Sequence, residues 1–261
     1  MTYRYKNFLL LSIAILLTAC TSDDSASDTS FSYLPLSVNN SWTYDVTTGT
    51  TVVTDMLTVN STTGSRYTLT SNPTPGNGVM TNLLTSGELN EDGGKLVANG
   101  SFSLANLGFG NFNVAIVNGV LNDQNAGNGT ETFTTSGMFS ETVQSFNLVF
   151  NYTAKNIQRA DLATLTVNGT TYNDVEHSQL IINANIVSPI TVANITQNIT
   201  LMRAQDVIVI DNYWAKDVGL IKSDNQLDYM LEDFSSFGIM LPVPQAADLL
   251  SVQTLTSFTV N

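Results

Sequence analysis

Phe146-Asn147-Leu148-Val149-Phe150-Asn151-Tyr152-Thr153 decides the fold class of this chain. Its large apolar side chains recur at every second position, and most of the residues between them are polar. Because successive side chains of a strand point to opposite faces, this alternation predicts a β-strand with one buried face. The same period of two occurs at two other places, which are Trp42, Tyr44, Val46 and, more loosely, Phe112, Val114, Ile116.

Turn signals divide the rest of the chain into further strands. Asn168-Gly169 separates two strand-like runs and predicts a tight hairpin. Residues 180–187 and 190–211 read as two long strands separated near Pro189, and residues 252–260 as a final strand. Residues 245–250 are the one candidate for a short helix, near the C-terminus. We therefore expect an all-β fold: a single antiparallel β-domain, built as a curved sheet or an open barrel or sandwich.

The stretch from Leu96 to Ala154 has very little charge. It contains no Lys or Arg, and its only acidic residues are Asp123, Glu131 and Glu141. Exposed edge strands usually carry charges, especially Lys, that discourage pairing with another chain. We expect this stretch to lie in the middle of the sheet; the alternative is a surface that associates with a partner.

The first twenty residues have the three zones of a secretory signal. Arg4 and Lys6 provide positive charge, residues 8–17 form an apolar core too short to span a bilayer, and small residues precede Cys20. Leu17-Thr18-Ala19-Cys20 resembles the lipobox of bacterial lipoproteins. That resemblance implies that Cys20 becomes the mature N-terminus and carries a diacylglyceryl thioether and an amide-linked acyl chain. Because Cys20 is the only cysteine, no disulfide can form within the domain.

A polar tether is expected to follow the signal. Residues 21–30 contain no aromatic or branched aliphatic side chain, so they cannot bury enough apolar surface to order themselves. We therefore divide the chain into a signal (1–19), a flexible acidic tether (20–30) and one β-domain (31–261). Ser22-Asp23-Asp24 is similar to the acidic export signal of Bacteroidetes surface lipoproteins, and Asp24-Ser25-Ala26 resembles the O-glycosylation motif of those bacteria, with Ser25 as the acceptor.

Charge and composition exclude one class of partner. The chain carries a net charge of −13, and the loss of Arg4 and Lys6 with the signal would take it to −15. Nucleic-acid binding requires a basic surface, so we expect no nucleic-acid partner. The expected attachments are the membrane, through the lipid anchor, and an extracellular glycan or protein. No cofactor is expected apart from the covalent lipid on Cys20.

Two further segments carry a family resemblance. Tyr33-Leu34-Pro35-Leu36 with Asn40-Ser41-Trp42-Thr43-Tyr44, and the later run from Tyr213 through Trp214, Val218, Gly219 and Leu220 to Lys222, resemble motifs of a family of Bacteroidetes outer-membrane lipoproteins of the Flavobacteria type. Asn39 stands where the first motif favours Gly. The resemblance implies a single antiparallel β-domain and brings no catalytic residue. We interpret Trp42, Tyr44 and Trp214 as core residues, with Gly219 allowing a close backbone approach; the alternative is an aromatic platform for a ligand.

No catalytic or metal site is evident from the residues. His177 is the only histidine and belongs to a polar strand segment without a Gly-x-Ser-x-Gly turn, so a hydrogen-bonded strand histidine is expected. Carboxylates cluster at Glu88, Glu91, Asp92 and at Asp228, Glu232, Asp233, although spacing alone cannot identify a glycosidase pair. The run from Asp123 to Glu131 is similar to a calcium loop but lacks its Gly at the sixth position and its Glu at the twelfth. We expect a hairpin loop there and no metal site, while calcium elsewhere on the acidic surface stays open.

Three functions follow from these observations. The first is a lipid-anchored outer-membrane lipoprotein at the cell surface, with a non-catalytic binding or accessory role. The second is a periplasm-facing carrier that holds an apolar ligand in a half-barrel cavity, suggested by the alternating apolar positions between Phe102 and Tyr152. The third, a carbohydrate-active hydrolase, is disfavoured because no catalytic set is evident.

Overall fold

Thirteen antiparallel strands and one helix make up the described part of the chain. The computed structural model describes residues 32–103, 113–143, 146–192, 195–234 and 244–261. In chain order the elements are β1 (Ser41–Thr48), β2 (Thr51–Thr63), β3 (Arg66–Asn72), α1 (Val79–Thr85), β4 (Glu88–Asp92), β5 (Lys95–Ser103), β6 (Asn113–Asp123), β7 (Glu131–Val143), β8 (Phe146–Gln158), β9 (Leu162–Val167), β10 (Thr170–Val192), β11 (Ile195–Ala215), β12 (Gly219–Met230) and β13 (Ala246–Thr259).

A single sheet contains all thirteen strands, in the order β6-β5-β4-β3-β2-β1-β13-β12-β11-β10-β8-β7, with β9 pairing β10 beside it. Most neighbours in this order are also neighbours in sequence, so short hairpins build most of the sheet. The sheet curves until β6 contacts β7, and it therefore forms an open barrel. The predicted all-β antiparallel fold is confirmed, and the two-layer sandwich is not formed.

The alternation that predicted the strands also explains which side chains are buried. Trp42, Tyr44 and Val46 point inward from β1, and Val114 and Ile116 do so from β6, while Phe112 lies outside the described residues. The only helix in the described residues, α1, packs against β2, β3, β4 and β5, where it buries Met80, Leu83 and Leu84. This helix is not long and apolar enough to span a membrane.

Several details of the sequence prediction are wrong. Residues 246–250 belong to β13, and the short helix is instead Val79–Thr85. The hairpin at Asn168-Gly169 is confirmed, with positive φ at both residues. No break occurs at Pro189, which lies inside β10. There it pairs with Asn198 of β11, and β8 pairs with β10 only as far as Val187. Pro189 therefore lies where β10 has a paired strand on one side only, and a sheet tolerates proline at such an edge position.

The stretch of low charge does not lie in the middle of the sheet. It contains β6 and β7, which are the two ends of the strand order, together with their neighbours β5 and β8. The expectation rested on the rule that edge strands carry protective charges, and here the two terminal strands meet each other. Contacts between β6 and β7 shield part of both edges, so these contacts take the place of protective charges.

Gly219 illustrates how the core restricts the backbone. It begins β12 with φ at +120°, and a Cβ atom built there would lie 2.8 Å from Nε1 of Trp42. The same indole N–H donates to the carbonyl of Val218 at 2.5 Å. The predicted close approach of the backbone at Gly219 is confirmed, and it connects the first strand of the sheet with the β11–β12 turn.

Gly219→Ala should therefore destabilise the fold. The alanine must adopt a strained backbone conformation, which costs about 1–2 kcal/mol. Its methyl group must also displace the Trp42 ring, which costs about 1–3 kcal/mol. Gly49→Ala is the matched control, since Gly49 also has positive φ but nothing within 4 Å of a built Cβ. Urea unfolding should show a larger loss for Gly219→Ala; equal losses would contradict the role given to Trp42.

Candidate functional site

A group of buried polar residues lies at one end of the sheet, which we call the proximal end. It is formed by residues 32–36, the turn at 93–94, the loop at 124–130 and the β9–β10 hairpin. The opposite, distal end carries the β1–β2 turn and the ends of the β5–β6, β7–β8 and β10–β11 hairpins. The residue where the described fold begins, Ser32, therefore lies at the proximal end.

Ser32 is held by two other segments and by its own. Its N–H donates to Oδ1 of Asp217 at 3.2 Å, and the N–H of Asp217 donates to its carbonyl at 2.7 Å. Its hydroxyl donates to Glu91 on β4 and also accepts from the N–H of Leu34 at 3.0 Å. Leu34 is fully buried beside Gly219. These contacts fix the entry point of the chain on the proximal end.

Glu176 is a buried carboxyl group at the same end. It points inward from β10 with 4% of its surface exposed, and it accepts from Nδ2 of Asn122 and from the hydroxyl of Tyr33. Removal from water raises the pKa of Glu176 to about 7, and the negative charges of Asp161 and Asp123 add to this. The two hydrogen bonds oppose the rise without cancelling it. Glu176 is thus a carboxyl group that exchanges its proton near neutral pH.

Glu176 belongs to a group of polar side chains that holds the two ends of the sheet together. Gln158 of β8 donates to Oδ1 of Asn122 on β6 at 3.2 Å, and its own Oε1 accepts from the N–H of Asp123 at 3.3 Å. Asn156 of β8 donates to the carbonyl of Leu121 at 3.1 Å. We call Asn122, Thr132, Asn156, Gln158 and Glu176 the side-chain clasp. Through it, the end of β6 lies against the inner faces of β8 and β10.

Thr132 completes the clasp from β7. Its hydroxyl lies 3.1 Å from the carbonyl of Val120 on β6 and 3.3 Å from the carbonyl of Asn156. Within the described residues, β6 and β7 form no backbone ladder with each other. The open barrel is therefore closed at this end by side chains.

A small cleft lies beside the clasp. Its lining residues are Tyr33, Leu34, Glu91, Gly94, Lys95, Leu96, Asn122 and Gln124. The enclosed space of about 20 Å³ fits one water-sized group and excludes a sugar ring or an acyl chain. Burial also raises the pKa of Glu91, while its hydrogen bond with Ser32 opposes that effect. The cleft therefore has room for a water molecule beside Glu91 but not for an organic substrate.

His177 faces the other side of the sheet. It follows Glu176 directly in β10, so the two side chains point to opposite faces. Nε2 of His177 lies 2.7 Å from Oδ1 of Asp211, and its ring stacks on Tyr213 at 4.7 Å between centroids. Asp211 also accepts from Gln179 at 2.9 Å. The prediction of a hydrogen-bonded strand histidine is confirmed, and His177 and Glu176 do not share a site.

The aromatic residues of the two sequence motifs lie in the core. Trp42, Tyr44 and Trp214 are fully buried, and Nε1 of Trp214 donates to the hydroxyl of Ser178 at 3.0 Å. Burial raises the pKa of Tyr44 well above its usual range. The structural interpretation of these residues is confirmed, and a surface platform for a ligand is excluded for them.

The carboxylate clusters seen in the sequence are dispersed. Glu88 pairs with Arg66 at 3.1 Å, and Glu232 pairs with Arg203 at 2.5 Å. Residues 231–234, which include Glu232 and Asp233, lie outside any strand. In the described segments, no three His, Asp or Glu side chains are arranged to hold a metal ion.

The loop that is similar to a calcium site makes internal contacts. Asp123 ends β6, where Oδ1 accepts from the N–H of Asn125 at 3.0 Å and Oδ2 lies 3.7 Å from Nζ of Lys95. Asn125 in turn donates to the carbonyl of Gly93 at 2.9 Å. The predicted loop is confirmed as the connection between β6 and β7, but it is not a hairpin, because these two strands do not pair with each other.

Sequence reasoning and structure identify different residues. Cys20, Ser22, Asp23, Asp24 and Ser25 lie outside the described residues, so those predictions stand as made. The residues of the clasp were not recognised, because Asn, Gln and Thr at inward positions look like ordinary surface residues of a Thr-rich and Asn-rich chain. One signal was available in the sequence. Glu176 and His177 are neighbours in a strand, so their side chains must point to opposite faces and one of them must point inward.

Comparisons with known proteins add little to this geometry. No protein-family model matches the chain, and no curated protein matches it. One similar solved structure is the crystal structure of a "putative lipoprotein" from Parabacteroides distasonis ATCC 8503. Its sequence is 11% identical to this chain, the match covers 88% of this chain and 99% of that chain, and the TM-score is 0.33. Its name agrees with the lipobox prediction, but a TM-score this low carries no argument about this chain.

The raised pKa of Glu176 predicts a pH-dependent stability. The group binds its proton more tightly in the folded state (pKa about 7) than at its ordinary value of 4.5. Its contribution is therefore fully present below pH 4.5 and is lost as the pH rises through about 7, by at most about 3 kcal/mol. Urea unfolding at pH 5 and pH 8 should show this loss in the wild type and a much smaller one in Glu176→Gln.

Glu131→Gln is the control for this prediction, since Glu131 is an exposed carboxylate at the start of β7. It should keep the pH dependence of the wild type. If Glu176→Gln and the wild type lose the same stability between the two pH values, the burial argument for Glu176 is wrong.

Proposed function

We propose that this chain is a lipoprotein of the outer membrane whose β-domain has a non-catalytic binding or accessory role. The observation that carries the proposal is Cys20, the only cysteine, at the end of Leu17-Thr18-Ala19-Cys20 behind a short apolar core. A diacylglyceryl group and an amide-linked acyl chain on Cys20 would anchor the protein stably, because two or more chains are enough for lasting attachment.

The start of the fold supports a tethered domain. The polar residues 21–30 lead to Ser32, whose backbone bonds with Asp217 hold the chain at the proximal end. A tether that enters there leaves the distal hairpins as the part of the domain farthest from the entry point. Those hairpins are where an external partner would first meet the domain.

Display at the cell surface is the location we favour. Ser22-Asp23-Asp24 stands directly behind the lipidated residue, where the export signal of Bacteroidetes surface lipoproteins is found, and Ser25 would be an O-glycan acceptor. The strong negative charge argues against an anionic partner and leaves an extracellular glycan or protein as the ligand.

A non-catalytic role is supported by the arrangement of the titratable groups. Glu176 is inside the sheet, while His177 is outside and engaged with Asp211. A hydrolase needs two groups that converge on one substrate. The small cleft lined by Glu91 and Asn122 has room only for a water-sized group and does not include Glu176, so a carbohydrate-active hydrolase is the least favoured function.

The alternative function is a periplasm-facing carrier of an apolar ligand. The curved sheet is the kind of fold that could enclose such a ligand, and its inner face is rich in apolar residues. Against this, large side chains occupy that face, and the fully buried ones include Trp42, Trp214, Tyr44 and the helix residues Met80 and Leu83. We therefore rank the binding role above the carrier role.

Replacing Cys20 tests the anchor. Cys20→Ser should abolish incorporation of radiolabelled palmitate and move the protein from the membrane fraction to the soluble fraction, because serine cannot form the thioether. Thr21→Ser, which keeps the lipobox, should behave as the wild type. Palmitate incorporation that persists in Cys20→Ser would contradict lipidation at this residue.

Protease treatment of intact cells tests surface display. We expect the wild type to be digested and an Asp23→Ala/Asp24→Ala variant to be protected, because the acidic signal next to Cys20 is lost. Asp28→Ala removes an acid from the same tether outside the signal and should be digested as the wild type. If the wild type is protected, the surface location is wrong and the carrier function moves ahead.

A further inference from the structure

One hairpin extends beyond the wall of the barrel. β9 pairs only with residues 170–175 at the start of β10. β11 joins β10 from Val175 onward, and β8 joins it further along the strand. Residues 162–173 therefore form a two-stranded hairpin outside the strand order. Two strands alone are barely stable in water, so packing must hold this hairpin in place.

The hairpin has one apolar face, and that face is part of the core. Val167 is buried in the core, and Leu165 and Tyr172 pack against it. The opposite face is exposed and polar, with the hydroxyls of Thr166 and Thr171 2.9 Å apart. A hairpin that contributes to the core without belonging to the wall must cover an opening of the barrel. Because this hairpin lies at the proximal end, it covers the proximal opening.

The tip of the hairpin is bound on the far side of that opening. Nδ2 of Asn168 donates to the carbonyl of Leu255 on β13 at 2.8 Å. β11 and β12 lie between β10 and β13 in the strand order, so the hairpin reaches across two strands. Leu255 pairs with Tyr44 of β1, and burial and, after it, the charge of Tyr172 raise the pKa of Tyr44. Both observations place the hairpin beside the inward side chain of Tyr44.

The backbone bends where the hairpin leaves the sheet. Asp174 has φ at +51°, a conformation that residues other than glycine rarely adopt. Neither the β9 ladder nor the β11 ladder includes Asp174, although both include Val175. Its carbonyl accepts from the hydroxyl of Tyr33 at 3.3 Å. A residue at the end of an element and outside both ladders can change its backbone angles without breaking either ladder, which is the property of a hinge.

We propose that residues 162–173 are a hinged lid on the proximal opening of the barrel, which swings at Asp174 while the sheet stays closed. One side-chain bond, at Asn168, and a small apolar face hold the lid, whereas β10 is paired on both sides from Ser178 onward, so the lid opens first. Opening uncovers Tyr44, whose hydroxyl is buried and has no hydrogen-bond partner in the described part of the chain. The lid goes beyond the binding role proposed above, because a ligand that enters the barrel from this end must pass it.

Releasing the tip tests the lid. Hydrogen exchange of the full chain in mild detergent, read by mass spectrometry, should be about tenfold or more faster in residues 162–173 than in residues 178–186 of β10. Asn168→Gly keeps the positive φ of the turn and removes the bond to Leu255, so exchange in the lid should become about fivefold faster still. Exchange in residues 178–186 should not change. Asn118→Gly is the control, since Asn118 is also exposed with positive φ but lies on β6.

A matched pair of substitutions tests the hinge. Asp174→Val and Asp174→Gly both remove the carboxylate, but only glycine adopts a φ of +51° without strain. Exchange in the lid should therefore be about tenfold faster in Asp174→Val than in Asp174→Gly. Acrylamide quenching of the fluorescence of Trp42 and Trp214, which are both fully buried, should increase in parallel, because the small quencher enters through the opening.

Four results would overturn the proposal. They are equal exchange of the lid and residues 178–186 in the wild type, an Asn168→Gly variant that speeds exchange equally in both regions, equal exchange of the two Asp174 variants, and tryptophan quenching that stays constant while lid exchange rises. Circular dichroism checks that each variant is folded, and if Asp174→Val unfolds, Asn168→Gly supplies both the exchange and the quenching measurements. None of these measurements involves Cys20, so a negative result would leave the lipid-anchor proposal unchanged.

Discussion

The side-chain clasp is the interaction on which the closure of the sheet depends. A sheet of thirteen strands could remain open or close with a continuous backbone ladder, and this one does neither. Its last strands meet through Asn156 and Thr132, which bind carbonyl groups of β6, and through the contacts of Asn122 with Gln158 and Glu176. Buried polar groups are costly unless they are paired, so these residues accept few arrangements of β6. The clasp thereby fixes where the two ends meet.

The sequence predicted the fold class well because the responsible signal is local. Alternation at Trp42, Tyr44, Val46 and the Asn168-Gly169 turn depends only on neighbouring residues, and these elements formed as expected. The helix at Val79–Thr85 was missed, since it is seven residues long and is stabilised by tertiary contacts of Met80, Leu83 and Leu84. Short helices have little intrinsic stability, so their packing decides whether they form.

The polar interior could not be predicted because it depends on strand order. Gln158, Ser178, Asn212, Ser223 and Gln253 lie on five strands, and the register places them side by side across β8, β10, β11, β12 and β13. All five are buried, and Ser223 donates to Asn212 at 2.8 Å. Nothing in the spacing of these residues along the chain indicates that they share one level of the sheet. Glu176 was overlooked for the same reason, because its position along the chain does not distinguish it from the other acidic residues.

The way the chain enters the fold has a mechanical consequence. Residues 32–36 lead directly into β1, which lies in the middle of the strand order and is paired with β2 on one side and β13 on the other. A pull on the N-terminal segment would load both ladders lengthwise, so many hydrogen bonds would have to break together instead of one after another. The segment is also bound to Asp217, and Asn261 at the other terminus donates to Asn40 at 3.0 Å. A domain that is pulled from this end would therefore resist mechanical unfolding, because the force shears both ladders at once.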